Sequence, residues 1–127
     1  MATHEAGHVL GLDHSLINLS SMIYTAFNGQ FSLSNDEKTA VRTLYPSQSS
    51  GGGISGSIEG TQGGIFGAHL VAVNLLSGEV HAGTLSASNG GFRIGDIPAG
   101  KYVVMMEPFG IDTSSVSQYY QNVDHRF

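Results

Sequence analysis

The pattern of apolar and polar positions changes character near residue 50. Before it, apolar residues recur at helical spacing; after it, they alternate with polar ones in short runs cut by glycine. From Ala2 to about Leu10 the residues are helix-compatible, and Gly11 is a natural stop because glycine adopts positive φ without strain. FSLSNDEKTAVRTLYP, residues 31–46, predicts a second helix. In it Ser34 followed by Glu37 is a capping box, Ala40, Val41, Leu44 and Tyr45 form an apolar stripe, and Pro46 ends the run. Further on, ISGSIEG, HLVAVNLL, EVHAGTL, GFRIGDI and KYVVMMEPF read as strands separated by the turns GTQGG, LSGE and SNGG. Strands at this spacing predict an antiparallel β-sandwich. The expected fold class is α+β overall, with helices first and the sandwich second.

Composition sharpens the boundary between the two. Gly 18 is high for 127 residues, and SQSSGGG, residues 47–53, reads as a flexible connector. The expected organisation is therefore 1–46, a linker at 47–53, a β-sandwich at 54–110, and a tail at 111–127 that would begin a further segment. A chain that is 40% hydrophobic and 12% charged can bury a core, at the size of one ordinary domain or two very small ones. The net charge of −5 gives no basic footprint, which argues against nucleic acid or an anionic membrane as a partner. With no cysteine, disulfides and thiolate metal ligands are excluded. No apolar run approaches the roughly 20 residues that cross a bilayer, and the N-terminus lacks the regions of a signal peptide.

The chemistry concentrates in HEAGHVLGLDHS, residues 4–15. His4 and His8 are four apart, so a helix places both imidazoles on one face, within reach of one metal ion. Glu5 projects beside that pair, while Ala6 and Leu10 point the other way and are expected to meet a core. A sharp turn at Gly11 would carry His14 back as a third ligand. Neutral imidazoles suit zinc, and three protein ligands leave a fourth position for water. Zinc lowers the pKa of such a water to about 7 and polarises a carbonyl. Glu5 is then placed to take the water's proton and deliver it to a leaving amine. The implied reaction is hydrolysis of a peptide bond. A lone histidine in such a place is ordinarily a surface residue, but accident is a poor explanation for the full set.

HEAGHVLGLDH has the form HExxHxxGxxH and resembles the long zinc motif of the metzincin metallopeptidases. With Ser15 following, it is similar to the matrixin branch. SSMIY, residues 20–24, resembles the Met-turn, which implies that Met22 lies beneath the metal as an apolar floor, and residues 31–46 resemble the closing helix of matrixin catalytic domains. Matrixins usually have Tyr-Pro directly after that methionine, whereas this chain has Ile23-Tyr24. A tyrosine two residues on looks more like the astacin and serralysin branches, which makes Tyr24 a candidate transition-state contact. The matrixin-like surroundings favour the other reading, in which Tyr24 packs under the loop. Matrixin domains carry most of their sheet before this helix, so the resemblance implies that residues 1–46 are the C-terminal part of a catalytic domain. Without that sheet, His4 lies in an unanchored first turn, where helices fray.

The resemblance implies a zinc-dependent metalloendopeptidase, with Zn2+ as cofactor, a protein or peptide substrate and action outside the cell. The alternative is a binding or spacer module with a vestigial metallopeptidase segment. NGGFRIGDIPAGKY, residues 89–102, looks like the signature of carboxypeptidase regulatory-like domains, which are transthyretin-like sandwiches; the likeness spans about residues 53–109. Phe92 and Ile94 would point into the core, Pro98-Ala99-Gly100 would turn, and Tyr102 would restart the next strand. His69, His81 and His125 reproduce no metal spacing and read as half-exposed. Glu59, Glu79, Asp96 and Glu107 read as solvated strand-edge charges.

Overall fold

The computed structural model describes residues 2–17, 20–24, 28, 30–47 and 51–107. Helix α1 spans Ala2–Val9 and helix α2 spans Asn35–Leu44. Gly11 sits at φ 91° just past α1. Its N–H donates to the His8 carbonyl at 3.0 Å, and the N–H of Leu12 donates to the Gly7 carbonyl at 3.0 Å. These two bonds close a Schellman motif, which satisfies carbonyls that the helix end would otherwise leave open.

What α1 buries differs from expectation. Ala6 is exposed, and Leu10 and Val9 are 45% and 87% exposed. The buried residue of α1 is Gly7, because the chain that packs on this helix approaches too closely for any side chain. At the start of α2 the capping box forms with both of its bonds. The stripe residues Ala40, Val41 and Leu44 are half-buried, whereas Tyr45 is exposed and donates its hydroxyl to the Leu10 carbonyl at 3.0 Å. The residues of α2 that are fully buried are Glu37 and Thr39.

Among the described residues seven strands follow: β1 Gly52–Ser57, β2 Glu59–Gly60, β3 Gly63–Gly64, β4 His69–Asn74, β5 Val80–Leu85, β6 Gly91–Ile97 and β7 Tyr102–Glu107. All the pairings are antiparallel: β4 is central between β5 and β7, β1 pairs β6, and β2 pairs β3. Ala72 and Ala82 of the three-stranded sheet meet Ile94 and Ile97 of β6, with Ile54, Phe92 and Tyr102 packed around them. Burying such side chains supplies most of the stability of so small a unit. Helix α2 lies against β5 and β6.

Several strand-region expectations change. Strand β1 starts at Gly52, inside the stretch read as connector, and Gly51 donates its N–H to the Asp96 carboxylate. A Cβ on Gly51 would overlap the carbonyl of Ile97, so that glycine serves a close backbone approach. Asp96 is no plain strand-edge charge: it holds φ 52°, where a short polar side chain that bonds nearby backbone is tolerated. His69 is buried at 5% exposure, because β4 is the middle strand of its sheet. His81 is half-buried, its ring edge-on to Tyr102 at 5.5 Å. Glu59 and Glu79 are exposed as expected. His125 and the tail lie outside the described residues. Among those residues, no helix is long and apolar enough to cross a membrane.

Candidate metal centre

Three histidines from two elements converge. His4 and His8 come from successive turns of α1, and His14 returns after the Gly11 turn. The ring centroids are 4.7 Å apart for His4 and His8, 4.8 Å for His8 and His14, and 5.2 Å for His4 and His14. One ring nitrogen from each lies within 4.8 Å of the others.

The hydrogen bonds fix which nitrogens face the centre. His4 Nδ1 is 2.8 Å from the Ser21 carbonyl, and His8 Nδ1 is 2.9 Å from the Leu12 carbonyl. A carbonyl only accepts, so both Nδ1 atoms carry a proton, and in the neutral rings both Nε2 atoms present lone pairs. Those two Nε2 atoms stand 3.1 Å apart. Two lone pairs at that distance repel each other unless a proton or a metal cation lies between them. Nitrogens bound tetrahedrally to one zinc at about 2.0–2.1 Å stand about 3.3–3.4 Å apart, so the spacing of the His4 and His8 pair is close to what that ion needs. Backbone carbonyls that orient the imidazoles are the outer-shell partners such a site requires.

His14 accounts for the third position. Burial, followed by the neighbouring His8 and His4, holds its pKa below the ordinary 6.5, against the pull of Asp13 and Glu5. It is therefore neutral at pH 7, the form that binds a metal. Asp13 accepts the His14 backbone N–H at 2.7 Å, but its carboxylate is 3.7 Å from Nδ1, too far for a hydrogen bond.

Met22 is 2% exposed and packs on helix α1. A Cβ on Gly7 would overlap its sulfur, so the thioether lies directly against the helix that carries His4 and His8. The Met22 carbonyl accepts the Ser15 N–H at 2.9 Å, which ties the methionine loop to the segment after His14. Gly7→Ala is expected to cost about 1–3 kcal/mol by overpacking and to weaken metal binding, as read by urea unfolding and zinc titration. An unchanged unfolding midpoint would overturn this close contact.

Glu5 is exposed on α1, and its charge reaches His14. Tyr24 is not packed under the loop: it is 64% exposed, with its ring edge-on to His14 at 4.9 Å. The chain thus brings together His4, His8 and His14, packs Met22 against Gly7 of the same helix and leaves Glu5 and Tyr24 exposed. A cavity of about 380 Å³ runs from His14 between α2 and strands β5 and β6, past Thr43, Leu85 and Phe92.

Two carboxylates have larger parts than the sequence suggested. Glu37 uses one oxygen for the capping box, from the N–H and hydroxyl of Ser34. Its other oxygen accepts the Ser20 hydroxyl and, at 3.1 Å, the Met22 N–H. Burial pushes its pKa up, but the bonds from Ser20, Ser34 and Met22 outweigh this and hold it below the ordinary 4.5. Asp36, beside it, accepts the Ser15 hydroxyl at 2.6 Å and the Gly83 N–H at 3.0 Å. Burial raises its pKa above 3.8. The capping box announced Glu37 as a cap, and a carboxylate in a first helical turn needs no other partner than the helix dipole. No local signal gave the second set of contacts.

Comparison with known proteins agrees with this geometry over the first part of the chain. Residues 1–46 match the model of the peptidase M10 family described as Matrixin, which marks them as a metzincin-like, matrixin-like segment. Among curated proteins, the hatching enzyme of Paracentrotus lividus is 42% identical over 55 residues, covering 41% of this chain. The matched part is 9% of that enzyme's length. No solved structure matches the chain.

Proposed function

We propose that the chain carries the metal-binding part of a zinc-dependent metalloendopeptidase that hydrolyses protein or peptide substrates outside the cell. The observation that carries this reading is the clustering of one ring nitrogen each from His4, His8 and His14, with the Nδ1 atoms of His4 and His8 held by backbone carbonyls and their Nε2 atoms 3.1 Å apart. His4, His8 and His14 would hold the ion, which when bound would supply Lewis-acid polarisation of the scissile carbonyl and acidify water. Glu5 takes the proton from the attacking water and returns it to the leaving amine. Its exposure gives it access to substrate and solvent. Tyr24, on the open side against His14, is the candidate donor to the developing oxyanion. Met22 keeps the underside dry and fixes the α1 face. The cavity beside His14 would take an apolar side chain of the substrate.

Residues 54–110 are read as an antiparallel β-sandwich of the carboxypeptidase regulatory-like kind, following 47–53 and preceding the tail at 111–127. The placement of Ile94 in the core with Phe92 packed on it supports this reading. A purely non-catalytic module with a vestigial metal segment is less favoured, because all three imidazoles still face one another. Zinc titration is expected to saturate at about one ion per chain, and hydrolysis of unstructured polypeptide is expected to stop when a chelator is added. Zinc-free protein at saturating metal would overturn the metal centre; cleavage indifferent to chelator would overturn the enzyme.

A further inference from the structure

We infer that Asp36 is a positioning residue that ties the loop bearing His14 to strand β5, so that the β unit sets where the third imidazole stands. The inference rests on the metal-centre reading above. Its basis is that the two carboxylate oxygens of Asp36 hold donors from two distant parts of the chain. Oδ2 accepts the hydroxyl of Ser15, the residue directly after His14, at 2.6 Å. Oδ1 accepts the N–H of Gly83 at 3.0 Å. Charge-assisted bonds to a carboxylate are among the stronger kinds in a fold.

Ser15 is pinned on its other sides too. Its N–H donates to the Met22 carbonyl at 2.9 Å, and its Oγ accepts the Ile17 N–H at 3.1 Å. One peptide away, His14 inherits that fixed position. On the far side, β5 is the outer strand of its sheet among the described residues, and Asp36 occupies a donor on its outer edge. A Cβ on Gly83 would stand 2.9 Å from His69 Nε2 and 3.3 Å from Ile17 Cδ1, so the glycine lets those two side chains lie close against β5. Asp36 is half-buried. An aspartate that served only the dipole of α2 would be solvated. Asp36 instead joins α2, the His14 loop and β5 at one point, and the β unit becomes part of the support of the metal site.

The test is a double-mutant cycle on zinc affinity. Asp36→Ala and Ser15→Ala are each expected to weaken zinc binding about 10–100-fold, the range for lost outer-shell partners. Asp36→Asn, which keeps one acceptor oxygen, is expected to recover part of that loss. In a His14→Ala background, Asp36→Ala is expected to change the residual affinity no further, since the residue acts through His14. Cobalt-loaded Asp36→Ala should also show a visible spectrum altered toward that of His14→Ala. If Asp36→Ala does not fold, Ser15→Ala carries the test, because it removes a single hydroxyl from a half-buried loop position. An equal loss in both backgrounds would mean general destabilisation and overturn the inference, as would an unchanged affinity. Failure of the unaltered chain to bind zinc would remove the metal centre and this inference together; zinc binding insensitive to Asp36 would remove only the latter.

Discussion

Glu5→Ala is expected to slow peptide hydrolysis by the zinc-loaded chain about 10²–10⁴-fold, the contribution of a positioned general base, while zinc stays bound. The separation of the two effects follows from where the residue stands. Glu5 precedes the buried Gly7 on α1 and remains exposed, with its charge felt at His14. It supplies none of the nitrogens that converge at the centre. His8→Ala is the contrasting variant. It removes an Nε2 that lies 3.1 Å from its neighbour, and the zinc is expected to go with it. Cleavage equal in wild type and Glu5→Ala would remove the proposed base. Zinc stoichiometry unaffected by His8→Ala would remove the site. Measured together, the two variants distinguish a base from a ligand.

Glu37→Gln is expected to destabilise the chain by at least about 3 kcal/mol in urea unfolding, because bonds to a buried charged acceptor are worth about 1.5–3 kcal/mol each. An amide can accept on one side only. Its NH2 group would then face either the Ser34 donors or the Ser20 and Met22 donors, leaving buried donors unpaired. The loss should extend to the metal, since Ser21, whose carbonyl accepts from His4 Nδ1, belongs to the same loop. The acid limb supplies a further check. Glu37 has its folded pKa below 4.5, so its stabilisation is complete above that pH and is lost as pH falls through the folded value. Asp36 has its folded pKa above 3.8, so the unfolded chain releases that proton first and stability declines as pH rises through this window. The two neighbours therefore oppose each other. Glu37→Gln should flatten the fall in stability below pH 4.5, and Asp36→Asn should steepen it. A loss below about 1 kcal/mol for Glu37→Gln, within the range of one ordinary hydrogen bond, would overturn the hub role.

The clustering of His4, His8 and His14 was legible in the sequence because its geometry is local. Residues four apart on a helix share a face, and a glycine at positive φ is the one device needed to bring His14 round. The capping box and the end of α1 were legible for the same reason. Strand positions followed from alternation, with Phe92 and Ile94 where the pattern put them. What escaped was tertiary. Ala6 and Leu10 look like core residues, but what packs on α1 takes the narrow Gly7 face. His69 looks like a surface residue until β4 is known to be central. The three glycines that look like a connector include two strand residues, since a glycine-rich run can mean either freedom or close approach. Asp36 and Gly83 are separated by 47 positions, and no periodicity encodes their bond.

The contact between Met22 and Gly7 also gives the molecule an internal chemical clock. Oxidation of a thioether adds an oxygen atom and polarity, and at Met22 there is no room for either while α1 is seated. The sulfur reacts only when the helix lifts from the loop. Met105 and Met106 of β7, at 48% and 54% exposure, meet the oxidant without any such opening. The ratio of sulfoxide at Met22 to that at the β7 methionines, followed by mass spectrometry, therefore counts how often α1 separates from Met22.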